Sequence, residues 1–158
     1  MSMPEIFHSL SDFKRLNAVN ELLKLNTYLK KQNLTLTLED MKDILNTRNF
    51  TLKAHGRIEL DINLTKDIIK ELGNSPYVNQ HNLVESINDI YEIFHYIKNC
   101  TSDFLGDEEI FKAVMFFYNK VYNGSIELLK GKGIEKIISN FKNNKYLTNI
   151  NDEEDNEF

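Results

Sequence analysis

Apolar residues in this chain recur at steps of three and four over six stretches, and little between them breaks a helix: 158 residues contain 6 Gly and 2 Pro. At 3.6 residues per turn, positions three and four apart share a helix face, so this spacing lines up one buried stripe only if the backbone is helical. A sandwich of short strands needs many tight turns and draws on more Gly and Pro. The pattern therefore predicts an all-α fold.

The first stripe is Phe13, Leu16, Val19, Leu22, Leu23 and Leu29, which predicts a helix from about Asp12 to Lys31 with Ser11 as its N-cap. A second helix starts at Thr37, where Thr37 and Asp40 have the spacing of a capping box. It carries Leu38, Met41, Ile44 and Leu45 and ends between Lys53 and Gly56. Over Arg57 to Asp61, Ile58 and Leu60 alternate with charges, too short a run to choose between strand and linker, and an extended linker or helix start is expected. A short third helix covers Leu64 to Leu72, ended by Gly73. After the turn at Asn74 to Tyr77, Asn79 is expected to cap a fourth helix running to Asn99, with Leu83, Ile87, Ile90, Tyr91, Phe94 and Ile97 on one stripe. A fifth runs from Asp107 to Tyr122, its three leading acids favoured by the helix dipole. A sixth follows Gly131 and Gly133. The expectation is a single domain over 1–145, five to six helices in an orthogonal-type bundle, then an acidic disordered tail over 146–158 where apolar spacing fails.

Charge narrows the function classes. The formal net charge is -5, and Asp152, Glu153, Glu154, Asp155 and Glu157 account for all of it. The neutral body lacks the clustered positive charge of a nucleic-acid footprint. No apolar run is long enough to span a membrane. One cysteine, Cys100, allows no internal disulfide, and Met1 to Glu5 do not open a signal peptide, so a cytoplasmic protein is expected.

Several residues have the spacing of a site, each with a plainer reading beside it. Asp89, Glu92 and His95 lie three apart on the fourth helix, half of a carboxylate-bridged metal site, but no second Glu-x-x-His is present and a surface pair is the plainer reading. Cys100 ends a helix, where the negative dipole end disfavours a thiolate, so a structural thiol is expected. Gly131-Lys132-Gly133 lacks the strand and the Lys-Ser/Thr pair of a phosphate loop. Aromatics crowd the second half, and Tyr96, Phe116 and Tyr122 fall off the main stripes; they serve either a partner surface or a helix buried on both faces.

Leu52-Lys-Ala-His-Gly-Arg57 with Glu59, Ser75-Pro-Tyr77 with Gln80, Gly124-Ser-Ile-Glu-Leu-Leu129 and the stretch from Tyr91 to Cys100 occur in that order. Together they resemble a family of uncharacterised small helical proteins from low-GC Gram-positive bacteria, known only as a domain of unknown function. The resemblance spans about Leu36 to Phe141 and implies no activity. It singles out Arg57, Glu59, Tyr77, Gln80 and Glu127 as polar residues that matter, either for binding or as turn and cap chemistry.

The expected function is a non-catalytic interaction or regulatory module that binds another protein, without cofactor. Two alternatives stay open: a metal or small-ligand protein using Glu92 and His95, and a homodimer whose surplus aromatics meet each other.

Overall fold

The computed structural model describes residues 3–101 and 104–143, the side chains of 3–13 excepted. The helices are α1 (Met3–Leu29), α2 (Leu38–Ala54), α3 (Asn63–Gly73), α4 (Leu83–Cys100), α5 (Asp107–Phe116), α6 (Ile126–Leu128) and α7 (Ile134–Lys142). A 3₁₀ turn, Lys30–Gln32, follows α1. Two π turns, Phe117–Val121 and Leu129–Gly133, extend α5 and join α6 to α7. Among the described residues there is no strand, so the all-α expectation holds. The acidic tail lies outside the described residues.

Helix α4 is the organising element. It packs against α2, α3, α5 and α7, and buries Leu83, Ile87, Ile90, Tyr91, Ile93, Phe94 and Ile97 together with Ser86 and His95. The others are amphipathic in the ordinary sense. On α1 the buried stripe is Val19, Leu22, Leu25 and Leu29. Leu16 and Leu23, expected on that stripe, are exposed instead, because the true stripe steps through Leu25. Ser11 is no cap: the helix runs through it and begins at Met3, where Pro4 falls in the first turn and costs no helical hydrogen bond.

The Thr37–Asp40 capping box is present in both directions. Asp40 N–H donates to Thr37 Oγ1 at 3.1 Å, and Thr37 N–H to Asp40 Oδ2 at 2.9 Å. Asn79 makes the same kind of reciprocal pair with Asn82, but one turn ahead of α4, which begins at Leu83. The last helical stretch starts earlier than its glycines suggested. Ser125 Oγ accepts from Leu128 N–H and starts α6, and Gly131 and Gly133 lie inside a π turn, not in a loop. Gly73 is the final residue of α3, where a Cβ would come 2.9 Å from Leu29 Cδ2; it permits α1 and α3 to approach closely.

Gly124 is the backbone's tightest point. Its φ is +82°, and an added Cβ would fall 2.2 Å from Tyr77 Cβ. Left-handed strain and overpacking combine there, so Gly124→Ala is expected to destabilise by about 2–4 kcal/mol. Gly131 has open space around its Cβ direction and ordinary φ; Gly131→Ala is expected to stabilise by about 0.5–1 kcal/mol through backbone entropy. Urea denaturation followed by far-ultraviolet dichroism reads both signs.

Candidate functional site

The linker between α2 and α3 is built inside out. Over residues 57–60 the polar side chains Arg57 and Glu59 are half-buried, while Ile58 is 87% and Leu60 98% exposed; the ordinary order returns at Asp61, exposed, and Ile62, buried. The cause is the set of groups that hold Glu59. Tyr91 on α4 donates its phenolic hydrogen to Glu59 Oε1 at 2.6 Å. Arg48 on α2 places Nε 3.4 Å from the same oxygen, and its Nη2 donates to the backbone carbonyls of Glu59 at 3.1 Å and Asp61 at 2.9 Å. His95, one turn beyond Tyr91, sets Nε2 3.5 Å from Glu59 Oε2. That is an ion-pair distance without the alignment of a hydrogen bond, and neither ring nitrogen of His95 has an aligned partner among the described residues.

His95 is 1% exposed. Its ring lies 4.7 Å from Tyr91 and 5.1 Å, edge-on, from Phe94, and stacks toward His55 at 6.4 Å. Burial by itself would push the Glu59 carboxyl up. His95, Tyr91 and Arg48 outweigh that burial and hold it below the ordinary carboxylate range. The same geometry acts oppositely on the phenol: burial, then the neighbouring Glu59 carboxylate, push Tyr91 far above its usual value. Tyr91 therefore stays a neutral donor and Glu59 an ionised acceptor. The cluster is suited to holding a segment of chain in one place.

The candidate metal residues Asp89, Glu92 and His95 fall in three different surroundings, and the plainer reading of a surface Glu–His pair does not fit the buried His95. His95 turns inward to Glu59, Asp89 accepts from the Lys130 ammonium at 2.9 Å, and Glu92 is exposed at a different hollow. No group of three or more His, Cys, Asp or Glu able to hold a metal occurs among the described residues. Cys100 is half-buried and free at the end of α4.

The resemblance residues fall into separate places. Gln80 clamps the α1–α2 connection, accepting from Thr35 N–H at 2.9 Å and donating to Thr35 O at 2.7 Å. Tyr77 donates to Asn123 Oδ1 at 3.2 Å and covers Gly124. Glu127 is exposed on α6. Gln80 sits ahead of α4 while Glu59 meets its middle, so eight residues of helix, roughly 12 Å, separate them. Of the off-stripe aromatics, Tyr122 is half-buried near Gly133, Tyr96 is half-exposed, and Phe116 opens onto a groove. Arg48, which ties Glu59 to α2, had no motif to reveal it.

That groove, of about 1010 Å³, lies between α3 and α5 and reaches the linker at Glu59, Leu60 and Asp61. Leu64, Phe111, Met115 and Phe116 line its apolar part; Asp67, Glu71, Lys112 and Lys120 are among its polar groups. Phe117, next to Phe116, is fully buried at a ring distance of 5.8 Å. The π turn begins there, and the adjacent phenylalanines divide between core and groove.

Fold and site together define a small helical protein in which a buried polar cluster fixes an outward-facing apolar linker. The chain belongs to the family of unknown function DUF6323, whose model matches residues 21–147. No curated protein and no solved structure matches it.

The depressed Glu59 carboxyl has a signed consequence. A lowered folded pKa contributes stability that is present above the unfolded value, near 4.5, and is lost as pH falls through the folded value below it. Glu59→Gln is therefore expected to lose most against the native chain at pH 6–7, with the difference shrinking below about pH 4.5. Glu59→Ala at neutral pH is expected to cost about 2–4 kcal/mol, since Tyr91, Arg48 and His95 lose their shared partner. Urea titrations at several pH values measure both; a difference that grows toward acid would contradict the assignment.

Proposed function

We propose that this protein is a non-catalytic binding module of the cytoplasm that docks a segment of a partner protein against Ile58, Leu60 and the α3–α5 groove. The observation that carries this reading is the inverted linker. Two large aliphatic side chains stand almost wholly in water, and the polar cluster beneath them keeps them there. Covering each is worth about 1.5–3 kcal/mol. Neither residue takes part in a backbone–backbone hydrogen bond among the described residues, and a partner chain finds both apolar side chains beside a groove with an apolar floor. No helix among the described residues is long and apolar enough to cross a membrane, which accords with that location.

The test compares the native chain with the double variant Ile58→Asp/Leu60→Asp in capture from a host lysate, followed by affinity measurement on the protein recovered. Both sites are exposed, so the variant is expected to keep its folding stability within about 0.5 kcal/mol. Its affinity is expected to fall at least about 30-fold, which corresponds to about 2 kcal/mol. A variant that binds the recovered protein as tightly as the native chain sinks the reading. Light scattering on both chains separates a second copy from a different partner: a native dimer made monomeric by the substitutions identifies self-association.

A further inference from the structure

A second hollow lies where the last turns of α2, the middle of α4 and the start of α7 meet, with a volume of about 440 Å³. Sites for small organic molecules begin at roughly 300 Å³. Phe50 and Tyr96 stand at it with Ile93 and Ile134. Phe50 is 75% exposed and Tyr96 50%, so both rings keep accessible surface. The linker cluster uses Tyr91 and His95 of α4; this hollow uses Glu92, Ile93 and Tyr96, a separate set of side chains.

Its charge is uneven. Lys130 lines it, but that ammonium is held 2.9 Å from Asp89 Oδ1. The hydrogen bond to Asp89 raises its pKa, and the fields of Glu92 and Glu85 add to the rise. The lysine thus stands among three carboxylates and is already paired. The ionisable groups lining the hollow are His55, Glu92 and Lys130; with Lys130 neutralised by Asp89 and His55 uncharged, the exposed Glu92 leaves the excess charge negative. An aromatic ring presents a negative face, and aromatic faces beside a carboxylate attract an organic cation. A carboxylate or phosphate ligand would meet Glu92 with Lys130 already engaged. A neutral apolar ligand would find the walls but nothing to use the charge.

We propose that this hollow is a binding site for an alkylated ammonium group carrying a short apolar body, with Phe50 and Tyr96 as its walls and Glu92 as its counter-charge. His55 lines the hollow and stacks toward His95 of the linker cluster, but the side chains assigned to bind here are not those of the linker or groove, and either assignment can fail without the other.

The experiment is a chemical-shift titration of the full-length, isotope-labelled protein with benzyltrimethylammonium. Benzenesulfonate serves as the anionic control and neopentyl alcohol as the neutral one. The expected result is saturable shifts confined to Thr51, Ala54, His55, Ile93 and their neighbours, with weaker or no response to the two controls. Glu92→Gln is expected to lower the affinity about tenfold, and Tyr96→Ala several-fold; raising salt weakens the native chain more than Glu92→Gln. Benzenesulfonate binding as well as the cation, shifts that do not saturate, or an unchanged affinity in Glu92→Gln would each overturn the proposal. Glu92 is exposed, so its variant remains a folded reporter even if Tyr96→Ala does not.

Discussion

The burial of α4 is the constraint on which the rest of the structure depends. A helix with apolar residues on more than one face cannot lie on a surface; it must be enclosed. Nine of its side chains are buried, including Tyr91, Phe94 and three successive positions from Ile93 to His95. Four other helices pack against it, and each contributes one apolar stripe. Large aliphatic and aromatic side chains are worth about 1.5–3 kcal/mol apiece when fully buried, so α4 alone outweighs any single polar contact in the molecule. The short connections follow from this need. The Gln80 clamp on Thr35 ties the α1–α2 connection to the segment ahead of α4, and the close approach at Gly73 brings α1 against α3.

Enclosure also explains the polar cluster. Tyr91 and His95 are one turn apart on a buried helix, so their polar atoms need partners inside the protein. Among the described residues the acid that reaches both is Glu59. It arrives from the linker, and Arg48 balances its charge and fixes its backbone. Breaking a pair of this kind leaves an uncompensated charge, which costs more than the pair contributes net. The cluster therefore specifies where the linker sits more than it adds to overall stability.

Much of this was legible in the sequence, and the failures have physical causes. The capping box at Thr37 was readable because both partners are local. The helices were readable because each needs a stripe. The stripe of α1 was misjudged at Leu16 and Leu23, since leucines dense enough to fit two registers cannot show which one faces the core. The start of α6 was hidden by Gly131 and Gly133, which mark breaks in most contexts but here sit in a π turn against Leu129 and Tyr122. Glu59 was singled out by resemblance and His95 by its spacing from Glu92. Their meeting depends on tertiary folding across 36 positions and left no periodic trace. Arg48 carries no signal at all in the sequence.

The orientation of the linker is the feature that separates packing from purpose. In a short stretch of alternating polar and apolar residues, the choice of face is binary, and burying the apolar set is the ordinary outcome. Here Ile58 and Leu60 would each gain about 1.5–3 kcal/mol by turning inward. The fold instead spends Arg48, Tyr91 and His95 on keeping Glu59 inside. A partly buried carboxylate network is at best close to neutral against a well-packed apolar alternative. Folding stability by itself therefore gives no reason to prefer this face. An apolar pair presented in a fixed place, on a short segment anchored at its centre, has low conformational entropy left to lose when something covers it. That is the property the proposed docking surface requires, and it follows from the same Glu59 contacts that order the linker.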